Sequence, residues 1–440
     1  MTLQKSKLPV ITIIGGGAAG LELATRLGNS LGRTKRATIK LIDYARTHVW
    51  KPLYHQVAAG ILDPYLDQIE YFSHAKKHSF QFYLGRLQSL DRNKQILQLA
   101  ANIDQDGNCI IPIQKVPYDI LVLAVGSIAN DFGIPGVAQH CHFLDTLHQA
   151  TCFSQRFIDT YLQIQTQTEP LRPGQLKIVI VGTGATGVEL AAELHRAIQN
   201  LASYCLDRID KDRQVQIVLI GGSDTILPGL PTRVIEATRR QLEQLGIQYY
   251  TGEWVNQVTD KGVKTKSGLF IDAEFVVWAG GIKAPDFLAQ LDGLESNKLN
   301  QLVVTQTLQT TLDFKIFALG DCSSAPWKAH KTVPPRAQAA HQQAKFMERA
   351  IEVYLAGKKQ PKFSYKDYGS LVSLGKYSAV GNLMGTIKGS NLFIEGYIAR
   401  CVYLALYKRH QAEVGGVSYA VLASIANIIA KRVKPRVKLH

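Results

Sequence analysis

The chain has 440 residues, 46% of them hydrophobic, and carries 50 Lys and Arg against 35 Asp and Glu, a formal charge of +15. That excludes wholesale disorder and a single small domain, and it calls for an anionic partner: nucleic acid, a membrane surface or a phosphate-rich cofactor. The six cysteines form no C-x-x-C, so neither a metal centre nor a disulfide framework is expected, which fits a reducing compartment.

Met1 to Lys7 is polar and basic, and the first strand begins near Val10. That leaves no room for a cleavable presequence and points to a prokaryotic cytoplasmic protein. Val10 to Ile14 is β-branched and apolar, which predicts a buried strand. It runs into Gly15, Gly17 and Gly20, spaced G-x-G-x-x-G, and then into a helix. In such a turn Gly15 permits the sharp bend, Gly17 lets the backbone approach a pyrophosphate, and Gly20 lets helix and strand pack closely. The helix N-terminus adds free N–H groups and a positive dipole end. A second strand, Thr38 to Ile42, ends in Asp43, placed to hold a ribose hydroxyl. Tyr44 to Gln56 is aromatic and broken by Pro52, and reads as a loop that returns towards the first glycine turn. Residues 78 to 120 read as short strands with a turn at Asp106-Gly107, followed by an apolar strand that ends at Gly126.

The opening pattern then recurs. Lys177 to Val181 is a strand, Gly182, Gly184 and Gly187 repeat the spacing, and Glu189 lies in the first turns of the next helix. Gln214 to Ile220 is the following strand. Ala273 to Gly281 echoes the segment that ends at Gly126. Two dinucleotide-binding units in one chain predict two dinucleotides, and the natural pair is FAD and NAD(P)H. The second unit departs from the pattern: Gly221 and Gly222 stand where an acid would bind the 2′-hydroxyl of NADH and repel NADPH, with Asp224 slightly later. No Arg lies between Gly221 and Asp224 to receive a 2′-phosphate, so NADH stays favoured over NADPH. Phe314 to Leu319 is a late strand, read as a return to the first unit that brings Asp321 to the ligand-binding edge of its sheet.

These features resemble the type II NADH dehydrogenases, single-subunit NADH:quinone oxidoreductases of the two-dinucleotide-binding-domain flavoproteins. The resemblance covers nearly the whole chain. Its family-specific motifs are Pro334-Pro-Arg-Ala-Gln338-Ala-Ala-His-Gln342 and the stretch from Leu371 to Gly385, together with the basic, apolar C-terminus. It implies an α/β fold of two Rossmann-like domains plus a C-terminal membrane-associating region. The divisions are 1–145 with 287–345 for FAD, 146–286 for NAD(P)H, and 346–440 for the C-terminal region. It implies that Gly15, Gly17, Gly20 and Asp43 hold the ADP half of FAD and that Asp321 holds the ribitol. Gly126 and Gly281 belong to the cofactor sites. Ala337 and Gln338 would sit against the isoalloxazine and the quinone, with Gln342 near the same pocket. Glu189 matches an acidic residue beside the flavin, where hydride arrives. A purely structural Glu189 would be a first-turn glutamate favoured by the helix dipole. Glu189, Gln338 and His341 are candidates for orienting or relaying the protons that quinone reduction consumes, although His341 reads more readily as an exposed helix residue. A homodimer is left open.

Other classes fit less well. A disulfide reductase of this superfamily needs a cysteine pair near the first helix, and none lies between Gly20 and Cys109. A sulfide:quinone oxidoreductase needs cysteines gathered at the flavin, and only Cys322 qualifies. A non-catalytic flavin-binding interaction protein stays open, whereas no nucleic-acid motif is present. Proton pumping is not expected, because no spanning helices carry buried ionisable groups. Attachment to the cytoplasmic face of the plasma membrane is expected at the C-terminus. Taken as a helix, Val414 to Ala430 places Val414, Val417, Val421, Leu422, Ile425, Ile428 and Ile429 within an arc of about 140°. Lys431, Arg432, Lys434, Arg436 and Lys438 then supply cations for an anionic leaflet.

Overall fold

The computed structural model describes residues 8–104, 106–204, 215–328, 330–375, 378–384 and 391–433. The first unit is built on β1 (Val10–Ile14), α1 (Ala18–Leu27) and β2 (Thr38–Asp43). After β2 the chain does not loop freely. Lys51–Leu53 forms a 3-10 turn and Tyr54–Ala58 forms a short helix, α2. Pro52 opens this helical stretch rather than breaking it, because a proline in a first helical turn has no N–H to lose. The expected return to the glycine turn is made from this region, where His48 lies against the backbone of Gly16.

Helix α3 (Tyr71–Lys77) and strand β3 (Gln81–Leu84) follow. Residues 87–117 add a three-stranded antiparallel sheet, and Gly107 turns a small hairpin at φ +85°. Strand β4 (Ile120–Leu123) returns to β1, with Leu123 opposite Ile14. Helix α4 (Leu147–Thr166) leads to the second unit, β5 (Lys177–Val181), α5 (Ala185–Ala202), β6 (Gln216–Gly221), β7 (Gln248–Thr251) and β8 (Phe275–Trp278). Gln214, where the sequence places the start of β6, lies outside the described residues.

Strand β9 (Ile316–Ala318) then pairs with β4, completing a parallel sheet in the order β9-β4-β1-β2-β3. The second sheet, β7-β6-β5-β8, is parallel too. Continuous apolar runs form these strands because both faces of a parallel sheet are covered. The two-residue alternation shows it directly: Ile178 and Ile180 enter one core, Val179 and Val181 another. In β1 the polar Thr12 is as fully buried as Ile11 and Ile13.

Helix α6 (Ala337–Leu355) packs along α1. An antiparallel sheet follows, of β10 (Gly369–Leu374), β11 (Ser378–Met384) and β12 (Asn391–Glu395). Helix α7 (Gly396–Gly415) lies on it, and α8 (Val417–Val433) ends the described chain. The single helix expected over Val414 to Ala430 is therefore two helices. Gly416 separates them at φ +91°, a conformation an L side chain rarely adopts. Val414 belongs to the earlier helix and is 1% exposed within the first core, whereas Val417, Val421, Leu422, Ile425 and Ile429 are at least half exposed. Gly385 of the second family motif and Lys434, Arg436 and Lys438 of the basic tail lie outside the described residues. Among the described residues no helix is long and apolar enough to cross a membrane.

Candidate active site

The first glycine turn has the geometry its spacing predicts. Gly15 adopts φ +99°, and its N–H donates to Ile42 O at 2.8 Å. A Cβ on Gly15 would strike Ala124 O, and one on Gly20 would strike Gly15 O. Gly17 differs: no protein atom lies within 4 Å of the place its Cβ would take. That open space faces the first-turn N–H groups of α1, which have no intrahelical acceptor. The site therefore fits a pyrophosphate. Asp43 stands beside it, accepting from Gly16 N at 2.6 Å and Ala45 N at 2.7 Å. Burial raises its pKa above the usual carboxylate value in spite of those bonds. Tyr71 Oη donates to Gly16 O at 2.7 Å and fixes the back of the turn.

The second turn repeats this design. Gly182 adopts φ +131° and donates to Ile220 O at 2.7 Å, a Cβ on Gly187 would strike Gly182 O, and Gly184 faces open space. Ile128–Ala129 pairs antiparallel with Ile282–Lys283, so the chain leaving β4 is tied to the chain leaving β8. Gly126 and Gly281 flank this crossing. A Cβ on Gly281 would lie 2.8 Å from Phe132 Cζ and would push that exposed ring aside.

At the carboxyl edge of the first sheet, Asp321 accepts from Ser127 Oγ at 2.8 Å. Lys51 Nζ donates to Ser127 O at 2.8 Å and to Asp145 at 3.1 Å. Burial raises the Asp321 pKa, while Ser127 and the Lys51 charge pull it down. Gln343 Oε1 accepts from Gly320 N at 2.6 Å and so positions the strand exit. Lys51, Ser127, Asp145 and Gln343 are absent from the sequence-based site. The signal for Gln343 was its register. One residue beyond Gln342 on a helix rotates the side chain by about 100°, and it is Gln343 that turns inward, 1% exposed. Gln342 instead clasps the backbone of Lys366, donating to its O at 2.8 Å and accepting from its N at 3.0 Å. Gln338, next to Ala337 at the start of α6, uses both ends of its amide in the same manner. Its Nε2 donates to Gly369 O at 2.9 Å and its Oε1 accepts from Tyr368 N at 3.0 Å.

Glu189 is brought to a buried polar cluster. Its Oε1 accepts from Ser373 N at 2.8 Å, and its Oε2 lies 3.7 Å from His55 Nδ1. Burial, opposed by the Ser373 bond and reinforced by Glu193, pushes its carboxyl up to about 8. Burial pushes His55 down to about 4, so its imidazole is neutral at pH 7. Tyr403 of α7 faces both glutamates, and burial raises its pKa further. His341 is not an exposed helix residue. Its Nδ1 lies 2.6 Å from the fully buried Glu22 and 2.8 Å from Glu413.

Residues 9–344 match the pyridine nucleotide-disulphide oxidoreductase family. The type II NADH:quinone oxidoreductase of Haemophilus influenzae is 38% identical over 98% of this chain and 99% of its own.

The chain belongs to the type II NADH:quinone oxidoreductases.

As a member it is an oxidoreductase that takes electrons from NADH to a quinone. The type II NADH:quinone oxidoreductase Ndh of Mycobacterium tuberculosis is 26% identical over 92% of this chain and 85% of its own. The fold matches that of NDH2 from Plasmodium falciparum, solved in complex with NADH, with TM-score 0.80 at 18% identity over 98% and 99% of the two chains. The sulfide:quinone oxidoreductase of Aquifex aeolicus shares the fold at TM-score 0.71 and 17% identity, over 96% of each chain. Cys322 is fully buried, its thiol pushed up by burial to about 11, and the other described cysteines, Cys109, Cys141, Cys152 and Cys401, are unpaired.

Proposed function

We propose that the enzyme binds FAD on the first unit and NADH on the second, and reduces a membrane quinone without pumping protons. The observation that carries this reading is the pair of glycine turns, each with space reserved at its middle glycine, Gly17 and Gly184, in a chain of this family. The divisions proposed are 1–145 with 287–345, 146–286, and 346–440. Bound FAD would accept a hydride from NADH and pass two electrons to the quinone. Gly17 and the α1 N-terminus hold the pyrophosphate, Asp43 the ribose, and Asp321, held by Ser127 and Lys51, the ribitol. Gly126 and Gly281 shape the passage where the two dinucleotides meet.

Glu189 serves as the proton donor on this reading. A carboxyl that titrates at about 8 keeps its proton at neutral pH, and quinone reduction consumes protons. Ala337 and Gln338 line the quinone side. Gln338 acts there by holding Tyr368 and Gly369, and Gln342 supports the same loop through Lys366.

The membrane is met by α8 and the start of α7. Tyr397 at 77%, Ile398 at 69%, Val417 at 73% and Leu422 at 66% exposure present an apolar surface on consecutive helices. An apolar face and a basic tail are two signals sufficient for stable attachment to an anionic leaflet. The orientation proposed is peripheral, on the cytoplasmic face.

A visible spectrum of the purified protein tests the core of the reading. A flavin band should bleach with NADH and return on adding a quinone, and the cofactor released by denaturation should be FAD. Release of FMN, or a colourless protein that FAD does not reconstitute, would overturn it.

A further inference from the structure

A dinucleotide-binding unit ordinarily grips the adenosine 2′-hydroxyl with an acid at the end of its second strand, and that acid repels a 2′-phosphate. Here the second strand of the second unit, β6, ends in Gly221, and Gly222 follows it. The place is taken by an indole: a Cβ on Gly222 would fall against the ring of Trp254. Trp254 arrives from the loop after β7, the neighbour of β6 in the sheet. That loop is fastened to the edge, because Glu253 N donates to Gly221 O at 3.0 Å and Gly252 N donates to Ser223 O at 2.8 Å.

Despite this seating, Trp254 is 60% exposed. A large rigid ring held on fastened backbone and largely exposed is a stacking platform for a base. Beside it stands a cation. Lys266 N donates to Trp254 O at 2.8 Å, and Lys266 Nζ lies over the ring, 5.6 Å from its centroid, so a stacking base would displace this mobile ammonium towards the rim. Two acids are nearby. The Glu253 carboxylate accepts from Ser267 Oγ at 2.7 Å, and Asp224 lies on the exposed loop beyond Gly222. The edge thus offers a flat π surface and an ammonium where the usual pattern offers a carboxylate.

We propose that Trp254 stacks on the adenine and Lys266 receives a 2′-phosphate, so that the enzyme oxidises NADPH as well as NADH. This rests on the reading of the second unit as the NADH unit. The reaction balances as before: NADPH, a proton and a quinone give NADP⁺ and a quinol. The hydride leaves the nicotinamide, and the 2′-phosphate takes no part in the chemistry. Lys266 therefore acts on binding, through a charge-assisted hydrogen bond that NADH cannot make.

The test compares kcat/KM for the two nucleotides in the wild type, Lys266→Gln and Trp254→Leu. Equilibrium binding of adenosine 2′,5′-bisphosphate and 5′-AMP, read by tryptophan fluorescence, is measured alongside. The wild type should use NADPH within about tenfold of NADH, and K266Q should lower NADPH efficiency about tenfold through KM while NADH stays within about twofold. Bisphosphate binding should weaken in K266Q and AMP binding should not. W254L should raise KM for both nucleotides, leave kcat unchanged, and remove the quenching that remains above the background of the other tryptophans. An NADPH efficiency about a hundredfold below that of NADH, or an equal effect of K266Q on both nucleotides, would overturn the proposal. If neither adenosine ligand quenches and W254L leaves NADH kinetics untouched, the nucleotide binds elsewhere and the placement of the second unit fails with it.

Discussion

Replacing His341 by Gln should loosen helix α7 in a pH-dependent way. His341 on α6 stands between Glu22 of α1 and Glu413 of α7, with side-chain exposures of 18%, 0% and 20%. Burial works against charging this imidazole, but hydrogen bonds to the two glutamates outweigh it and raise the pKa from 6.5 to about 9. The same contacts, with Arg409, hold Glu413 down at about 2. Glu22 keeps a second partner in Arg26 at 2.7 Å, which also reaches Glu348. His410 next to Glu413 is held at about 4 by burial and does not titrate in this window. At about 1.4 kcal/mol per decade the raised pKa is worth about 3 kcal/mol, and solvent screening brings that to about 2 kcal/mol. Because the folded pKa is raised, this stabilisation is complete below pH 6.5 and is lost as pH rises through about 9. Hydrogen–deuterium exchange of the α7 amides, divided by the intrinsic rate at each pH, reads it out. Protection in the wild type should fall about thirtyfold between pH 6 and pH 10, while H341Q should start lower and stay flat. A wild-type profile without pH dependence, or an equal fall in H341Q, would refute the assignment.

Other substitutions separate fold from site. Gly20→Ala should abolish flavin retention by forcing a Cβ into Gly15 O, whereas Gly17→Ala should fold normally and bind FAD about tenfold more weakly, as circular dichroism and dialysis would show. Deleting 417–440 should release the enzyme from anionic vesicles while NADH oxidation with a water-soluble acceptor persists; equal vesicle binding by the truncated form would count against surface attachment. The cut belongs after Gly416, because Glu413 and Val414 are fastened to the protein body. Gln338→Ala should slow flavin reoxidation by quinone about tenfold more than flavin reduction by NADH in stopped flow. Impairment of the NADH step alone would remove Gln338 from the quinone side.

Both parallel sheets were legible because each element announces itself locally: an apolar run, a glycine spacing, a helix. The return of β9 to the first sheet was legible as well, because an apolar strand there ends in Gly320 and Asp321, though its pairing with β4 was not. The side-chain clusters were not legible. Glu189, His55 and Tyr403 come from three distant segments, and nothing in their local sequence says that they meet. Lys51, Ser127 and Asp145 converge only after two crossovers. Within Tyr44 to Gln56 the helical stretch from Lys51 was not legible, because Pro52 reads as a breaker unless the helical turn it opens is known. The C-terminal helix was misjudged because aliphatic periodicity persists across Gly416, and a single left-handed residue leaves no trace in a periodicity count.

Gly222 and Trp254 form a matched pair, and that has an evolutionary consequence. An acid could enter at the end of β6 only if its neighbours moved. A side chain at 222 meets the indole, and a Cβ at 221 lies 2.9 Å from Thr183 Oγ1. The two positions are epistatic: each narrows what the other tolerates. If Trp254 grips the adenine as proposed, a variant that makes room for an acid at 222 by shrinking position 254 gives up that grip before the acid supplies another.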